Sequence, residues 1–165
     1  LLAGKVLDVG CGTGALADII PATLYCGVDI DELSLQLARK RHPNHNFQSV
    51  LPPIEEKFNA IVAAAVIEHV SNPAIFLFEL AQRLGDSIND SIILTTPHPY
   101  MDWILSLGSR IGFFSRHANE EHNKLLNNSK LAEIATKCDL KIKNHKRFLL
   151  GTNQLVVFRK KYQEN

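Results

Sequence analysis

Apolar and polar positions alternate along the chain in blocks of two kinds. Val6 to Val9, Leu24 to Ile30, Phe47 to Val50, Asn59 to Ala64 and Ser91 to Thr96 are short apolar runs, the pattern of strands buried on both faces of a parallel sheet. The blocks between them carry helix signals. Thr13 to Ile20 reads as a helix started by the loop before it. Asp31 caps a helix running to about Arg41, which His42-Pro43 ends. Asn72 caps and Pro73 opens another, closed by Gly85, and Ser129 begins a last one that ends near Cys138. Pro52-Pro53 leaves little room for a helix before Phe58. The pattern then changes: Lys141 to Leu149 and Gln154 to Arg159, joined by a turn at Gly151 to Asn153, read as an antiparallel hairpin. This order predicts an α/β fold, a mainly parallel sheet with right-handed crossovers and a C-terminal antiparallel hairpin. There is no internal repeat and no low-complexity segment.

The first apolar run breaks into glycines on alternate positions, VLDVGCGTG from Val6 to Gly14. Gly10, Gly12 and Gly14 let the main chain take positive φ and approach a ligand closely, and Cys11 between them reads as a small filler rather than a nucleophile. A helix beginning there would turn its free N–H groups toward that ligand. Asp8 argues against a phosphate, which its carboxylate would repel, and for an ammonium group or a hydrogen-bond donor. Asp29 is the last acidic residue of the second run, about twenty residues past the first glycine, where an acid grips a ribose diol. Gly10, Gly12 and Ala15 also satisfy the dinucleotide fingerprint, and Asp29 would serve a nicotinamide ribose equally well. On these residues alone the two cofactor readings both stand.

Four segments in order, VLDVGCGTG, GVDI, FNAIVAAAVIEHV (Phe58 to Val70) and SIILTTPHPY (Ser91 to Tyr100), resemble the motifs of the class I S-adenosylmethionine-dependent methyltransferases. The likeness is greatest to the small-molecule branch that includes the ubiquinone and menaquinone biosynthesis methyltransferases, where an EHV tripeptide follows the fourth strand. It runs from Gly4 to about Lys160. The resemblance implies a Rossmann-like methyltransferase fold, S-adenosylmethionine as cofactor with S-adenosylhomocysteine as product, and an aromatic or prenylated small molecule as acceptor. It further implies that Gly10 to Gly14, Cys11 included, cradle the methionine part of the cofactor. Asp29 would take the ribose hydroxyls, Ile30 would pack on adenine, Asp8 would help hold the amino group through water, and the backbone near Ala64 would lie under the sulfonium. Two positions depart from the pattern. The stretch QSVLPP (Gln48 to Pro53) lacks the acid that contacts the adenine amine, leaving Ser49 or a backbone group to substitute, and Asn59 stands where the family usually has aspartate.

Methyl transfer needs an in-line nucleophile held close to the donor, and a hydroxyl or carbon acceptor benefits from a base with a near-neutral pKa. His69 after the fourth strand and His98 after the fifth are the candidates, His69 having an alternative role in organising its loop together with Glu68. Residues 101–124 lie where the family places substrate-binding insertions. With Tyr100, Trp103, Phe113 and Phe114 they read as an apolar substrate lid rather than a membrane anchor. His117 and His122, with Glu120 and Glu121 between them, read as substrate-orienting groups, since no third metal ligand is fixed by spacing and no metal is expected.

Composition fits one domain spanning residues 1–165: 45% of the 165 residues are hydrophobic, enough for a core but not for a separate substrate domain. The formal charge of +1 leaves no broad footprint for nucleic acid, and Lys141 to Arg147 reads as the wet face of an edge strand. Three cysteines, an odd count without metal spacing, fit a reducing cytoplasm. No bilayer-length apolar run and no signal peptide appear, so a soluble, cytoplasmic protein with a small-molecule substrate and no stable membrane insertion is expected. The chain opens directly on its first strand, whereas the family usually begins with an extra helix or two that cover the cofactor, so a fragment lacking that cover is expected. Two other functions remain open on sequence: a nicotinamide-dependent oxidoreductase, and a cofactor-binding or scaffolding domain without catalysis.

Overall fold

A computed structural model of the chain describes residues 4–97 and 126–161. In chain order it forms β1 (Val6–Val9), β2 (Tyr25–Val28), α1 (Glu32–Arg41), β3 (Asn46–Gln48), β4 (Ala60–Ala64), α2 (Pro73–Arg83), β5 (Ser91–Pro97), α3 (Asn128–Lys137), β6 (Leu140–Phe148) and β7 (Asn153–Lys160). Among the described residues the strands make one seven-stranded sheet in the order β3-β2-β1-β4-β5-β7-β6. The first five are parallel, and β7 runs antiparallel between β5 and β6. The α/β class, the parallel sheet and the terminal hairpin are therefore as the sequence predicts.

Alternate residues of the central strands feed two cores. Leu7 and Val9 of β1 join Ile61, Ala63, Ile92, Leu94, Val156 and Phe158 under α2 and α3. Val6 joins Ala60, Val62, Ile93 and Val157 on the opposite face, with Leu35 and Ala38 of α1. Strand order reverses at β1, which lies between β2 and β4. Such a reversal opens a crevice at the carboxyl ends of the strands, where open α/β sheets bind ligands.

Helix ends follow the predicted caps. The Asp31 side chain accepts from the Leu33 and Ser34 N–H groups, and that of Asn72 from Ala74 and Ile75 with Pro73 in the first turn. The last helix starts one residue earlier than expected, because Asn127 caps it by accepting from Lys130 N at 2.9 Å. The helix expected over Thr13 to Ile20 is not formed. A four-residue 3-10 helix, Ala15–Asp18, stands there instead. Gly14 in the left-handed region delays its start, and Pro21 disfavours helical geometry at Ile20, so too few residues remain for α-helical turns. The helix-dipole argument for the glycine loop falls with it. β3 is also shorter than predicted, since its partner β2 ends at Val28, opposite Gln48.

Asn59 shows why asparagine replaces aspartate. Its Oδ1 accepts the Lys5 N–H at 2.8 Å, while its Nδ2 donates to Asp90 Oδ1 at 3.1 Å. An aspartate would set a second carboxylate against the buried Asp90 and could not donate. At the other edge, β6 ends the sheet and exposes Lys141, Lys143, Lys146 and Arg147, as expected for a charge-protected edge strand. Among the described residues no helix is long and apolar enough to cross a membrane.

Candidate functional site

The loop after β1 is shaped by glycine for distinct reasons. At Gly10 (φ +72°) a Cβ would lie 2.3 Å from Val66 Cγ2, so this position seats the loop against the turn that follows β4. At Gly12 (φ +52°) a Cβ would meet nothing within 4 Å, so the backbone there faces open space. A Cβ at Gly14 would strike Phe47 Cζ at 2.9 Å. Packing thus adds to positive φ in explaining Gly10 and Gly14, whereas at Gly12 positive φ alone favours glycine and the bare backbone leaves room for a ligand to approach. The loop is pinned to β2 by Gly10 N and Cys11 N, which donate to Val28 O at 2.7 and 3.0 Å.

Asp29 stands opposite that open backbone. Its Oδ2 accepts from Gly12 N at 2.7 Å and its Oδ1 from Asp31 N at 2.9 Å. Each oxygen keeps acceptor capacity, because a carboxylate offers about four lone-pair sites. The carboxylate is therefore fixed in place and still able to receive hydroxyl donors. Ile30 next to it is 93% exposed, an apolar surface unused by the core and suited to a flat ring. Ser49 lies exposed just beyond β3 on the same sheet edge.

Asp8 is 4% exposed and accepts the Tyr25 hydroxyl proton on Oδ2 at 2.8 Å. Tyr25 reaches it by lying across Gly27, where a Cβ would come within 2.8 Å of the Tyr25 Oη. Burial pushes the Asp8 carboxyl up to about 6, with the Tyr25 hydrogen bond opposing and the Asp29 charge adding to the rise. The Cys11 thiol is pushed up to about 12, first by burial and then by Asp8 and Asp29. It is neutral near pH 7 and unsuited to nucleophilic attack. Burial and then Asp8 also push the Tyr25 phenol upward.

The third wall is the end of β4. Ala64 is exposed at the last strand position. Ala65 takes φ +56°, held there by its N–H, which meets Thr95 O at 2.9 Å and Thr95 Oγ1 at 3.2 Å. A 3-10 turn follows at Ile67–His69, exposing His69. The Glu68 Oε2 is buried there without a hydrogen-bond partner.

The structure thus gathers Asp8, Gly10, Cys11, Gly12, Gly14, Asp29, Ile30, Ala64 and His69 at the carboxyl ends of β1, β2 and β4, with Ser49 at the end of β3. His98, Tyr100, Trp103, His117 and His122, together with the predicted lid at 101–124, lie outside the described residues. Sequence reading missed Tyr25, because nothing in its position announces a bond to a carboxylate seventeen residues earlier. It also missed Gln154, which is fully buried. The Gln154 Nε2 donates to Leu126 O at 2.6 Å and its Oε1 meets His145 Nε2 at 3.0 Å, tying β7 to β6 and to the residues just before α3. Among the described residues no three potential ligands converge as a metal site.

The arrangement can receive vicinal hydroxyls at Asp29, a ring on Ile30 and a close-lying chain over Gly12. Comparison with known proteins bears on the family and the fold. The chain is 27% identical over 154 residues to the ubiquinone biosynthesis O-methyltransferase of Rickettsia typhi, covering 86% of this chain and 62% of that protein. It therefore spans less than two thirds of the curated relative's length. Its fold superposes on the magnesium protoporphyrin IX methyltransferase of Synechocystis with bound SAH, at TM-score 0.69, 15% identity, and coverage of 97% of this chain and 75% of that one. A S-adenosylmethionine-dependent methyltransferase from Mesorhizobium loti superposes at TM-score 0.71 and 15% identity, covering 96% of this chain and 92% of that one. The dinucleotide-binding alternative calls for the strand order 3-2-1-4-5-6, whereas here β7 is inserted antiparallel between β5 and β6. The Methyltransferase domain family matches residues 2–145, and the chain belongs to it.

Proposed function

We propose that this chain transfers the methyl group of S-adenosylmethionine to a small-molecule acceptor. The observation that carries the reading is the pairing of the open Gly12 backbone with the fixed Asp29 carboxylate across the ends of β1 and β2. The residues present fit the cofactor. Asp29 would hold the ribose hydroxyls, Ile30 and Ser49 would border the adenine, and Gly10 to Gly14 would accommodate the methionine chain. Asp8 would face the ammonium group, a charge that suits a buried carboxylate better than phosphate does. When bound, the cofactor supplies an electrophilic methyl group on sulfur, and the exposed Ala64 and Ala65 backbone would border that end of the crevice.

The chain's own contribution is then placement of the acceptor in line and removal of its proton. His69, exposed on the turn after β4, is a candidate base, as is His98 by sequence. Residues 101–124 would serve as the substrate lid within a single domain, with Tyr100, Trp103, His117 and His122 toward the acceptor. The name of the Rickettsia typhi relative points to the hydroxyl of an aromatic, quinone-related compound as the first acceptor class to try. Incubation with methyl-labelled S-adenosylmethionine and a panel of substituted catechols is expected to give a labelled O-methyl product. His69→Ala is expected to lower kcat by about a hundredfold or more if its imidazole takes the proton. Turnover unchanged in both His69→Ala and His98→Ala would remove the general base from the account and leave positioning alone.

A further inference from the structure

The β6–β7 hairpin carries a combination that edge protection does not require. From Leu140 to Lys161 it contains seven Lys and Arg and no Asp or Glu, in a chain whose formal net charge is +1. At its tip Phe148, Leu149 and Leu150 are 40%, 66% and 98% exposed. Leu149 and Leu150 hold φ of +49° and +56°, a region where asparagine or glycine would be at ease and leucine is not. The turn is closed by Gly151 N and Thr152 N, donating to Phe148 O and Leu149 O at 3.1 Å. Two large apolar side chains thus stand in water on a strained backbone and contribute nothing to the core.

The position of this tip in the sheet gives it a use. Phe148 pairs with Asn153, and Asn153 with Pro97 at the end of β5. The tip therefore projects from the same carboxyl-terminal end of the sheet as Gly12, Asp29 and Ala64. Lys143, Lys146 and Arg147 are exposed behind it on β6, while Lys160 at the far end is engaged by Asp86 at 2.6 Å.

We propose that the hairpin docks the protein on an anionic phospholipid surface. Phe148, Leu149 and Leu150 enter the headgroup boundary, and Lys143, Lys146 and Arg147 face the lipid phosphates. Charge complementarity selects this occupant. A second copy would present the same positive hairpin, and a nucleic acid would find no use for exposed leucines at the tip. Resting on the methyltransferase reading above, docking by this end turns the crevice toward the bilayer, so the acceptor class becomes a lipophilic small molecule taken up from the membrane surface.

Co-sedimentation of the protein with vesicles of phosphatidylcholine alone, or mixed with phosphatidylglycerol, tests this. Binding is expected to the mixed vesicles, to weaken with added salt, and to fall about tenfold or more in both Leu149→Ser/Leu150→Ser and Lys146→Glu/Arg147→Glu. S-adenosylhomocysteine affinity and melting temperature, measured on the same variants, should stay unchanged. Absence of vesicle binding in a protein that binds S-adenosylhomocysteine would overturn the docking surface and leave the methyltransferase reading standing. Vesicle binding without nucleoside binding would support the surface and count against that reading. Binding that ignores the leucine substitutions, and that single-stranded DNA competes away, would show a general polyanion site and overturn the proposal.

Discussion

Asp29→Ala is expected to weaken S-adenosylhomocysteine binding by about ten- to a hundredfold, with only a small change in stability. The carboxylate is partly exposed and holds no core contact, yet it is fixed by Gly12 N and Asp31 N at 2.7 and 2.9 Å. On the proposed reading, its loss removes the hydrogen bonds that two ribose hydroxyls would donate to the carboxylate, worth roughly 1.5–3 kcal/mol. It also frees the Gly12 N–H from its anchor, so the loop would bind from a broader set of conformations. Asp29→Asn, which retains one acceptor oxygen but not the charge, should fall between wild type and alanine. Calorimetric titration of the three proteins checks this. Equal affinities would mean that the ribose lies elsewhere.

Asp8→Asn should make the protein more stable near neutral pH while weakening cofactor binding. The Asp8 carboxyl titrates at 3.8 when unfolded and at about 6 in the fold, chiefly because burial disfavours its charge. Below about pH 4 both states hold the proton and there is no penalty. Between 4 and 6 the folded state keeps a proton that the unfolded chain has released, so this group's contribution to stability falls as pH rises. Above 6 the buried charge costs about 3 kcal/mol. Asparagine removes that charge and can still accept the Tyr25 hydroxyl proton. Denaturant unfolding should therefore show variant and wild type converging near pH 4 and separating in the variant's favour by pH 7. A difference that stays constant with pH would contradict the assignment. A costly buried carboxylate points to use; on the proposed reading it partners the ammonium group of the cofactor, and its loss should lower affinity even as the fold gains stability.

The parts legible in the sequence were those written in contiguous residues. The strand-glycine segment, the acid within GVDI and the caps Asp31 and Asn72 each carry their local structure within a few positions, and all stand where expected. The helix expected after the loop, over Thr13 to Ile20, is a single 3-10 turn because Gly14 and Pro21 leave too few residues for α-helical turns. Contacts between distant residues were not legible. Tyr25 meets Asp8 only because parallel pairing of β1 with β2 brings them to one face and Gly27 leaves room for the ring. Asn59 meets Asp90 only once β4 and β5 are in register. Positive φ at Ala65 had no sequence signal, since alanine normally avoids that region and is held there by Thr95. The terminal hairpin is legible as strands, but its exposed apolar tip gains meaning only when antiparallel pairing with β5 brings it to the carboxyl-terminal end of the sheet, the end that bears the glycine loop.

The most direct test of the central claim is calorimetric titration of this chain with S-adenosylmethionine, S-adenosylhomocysteine and NAD side by side. The account predicts saturable binding of both sulfur nucleosides at one site per chain and none of NAD. Binding of NAD in their place, or of none of the three, would contradict it.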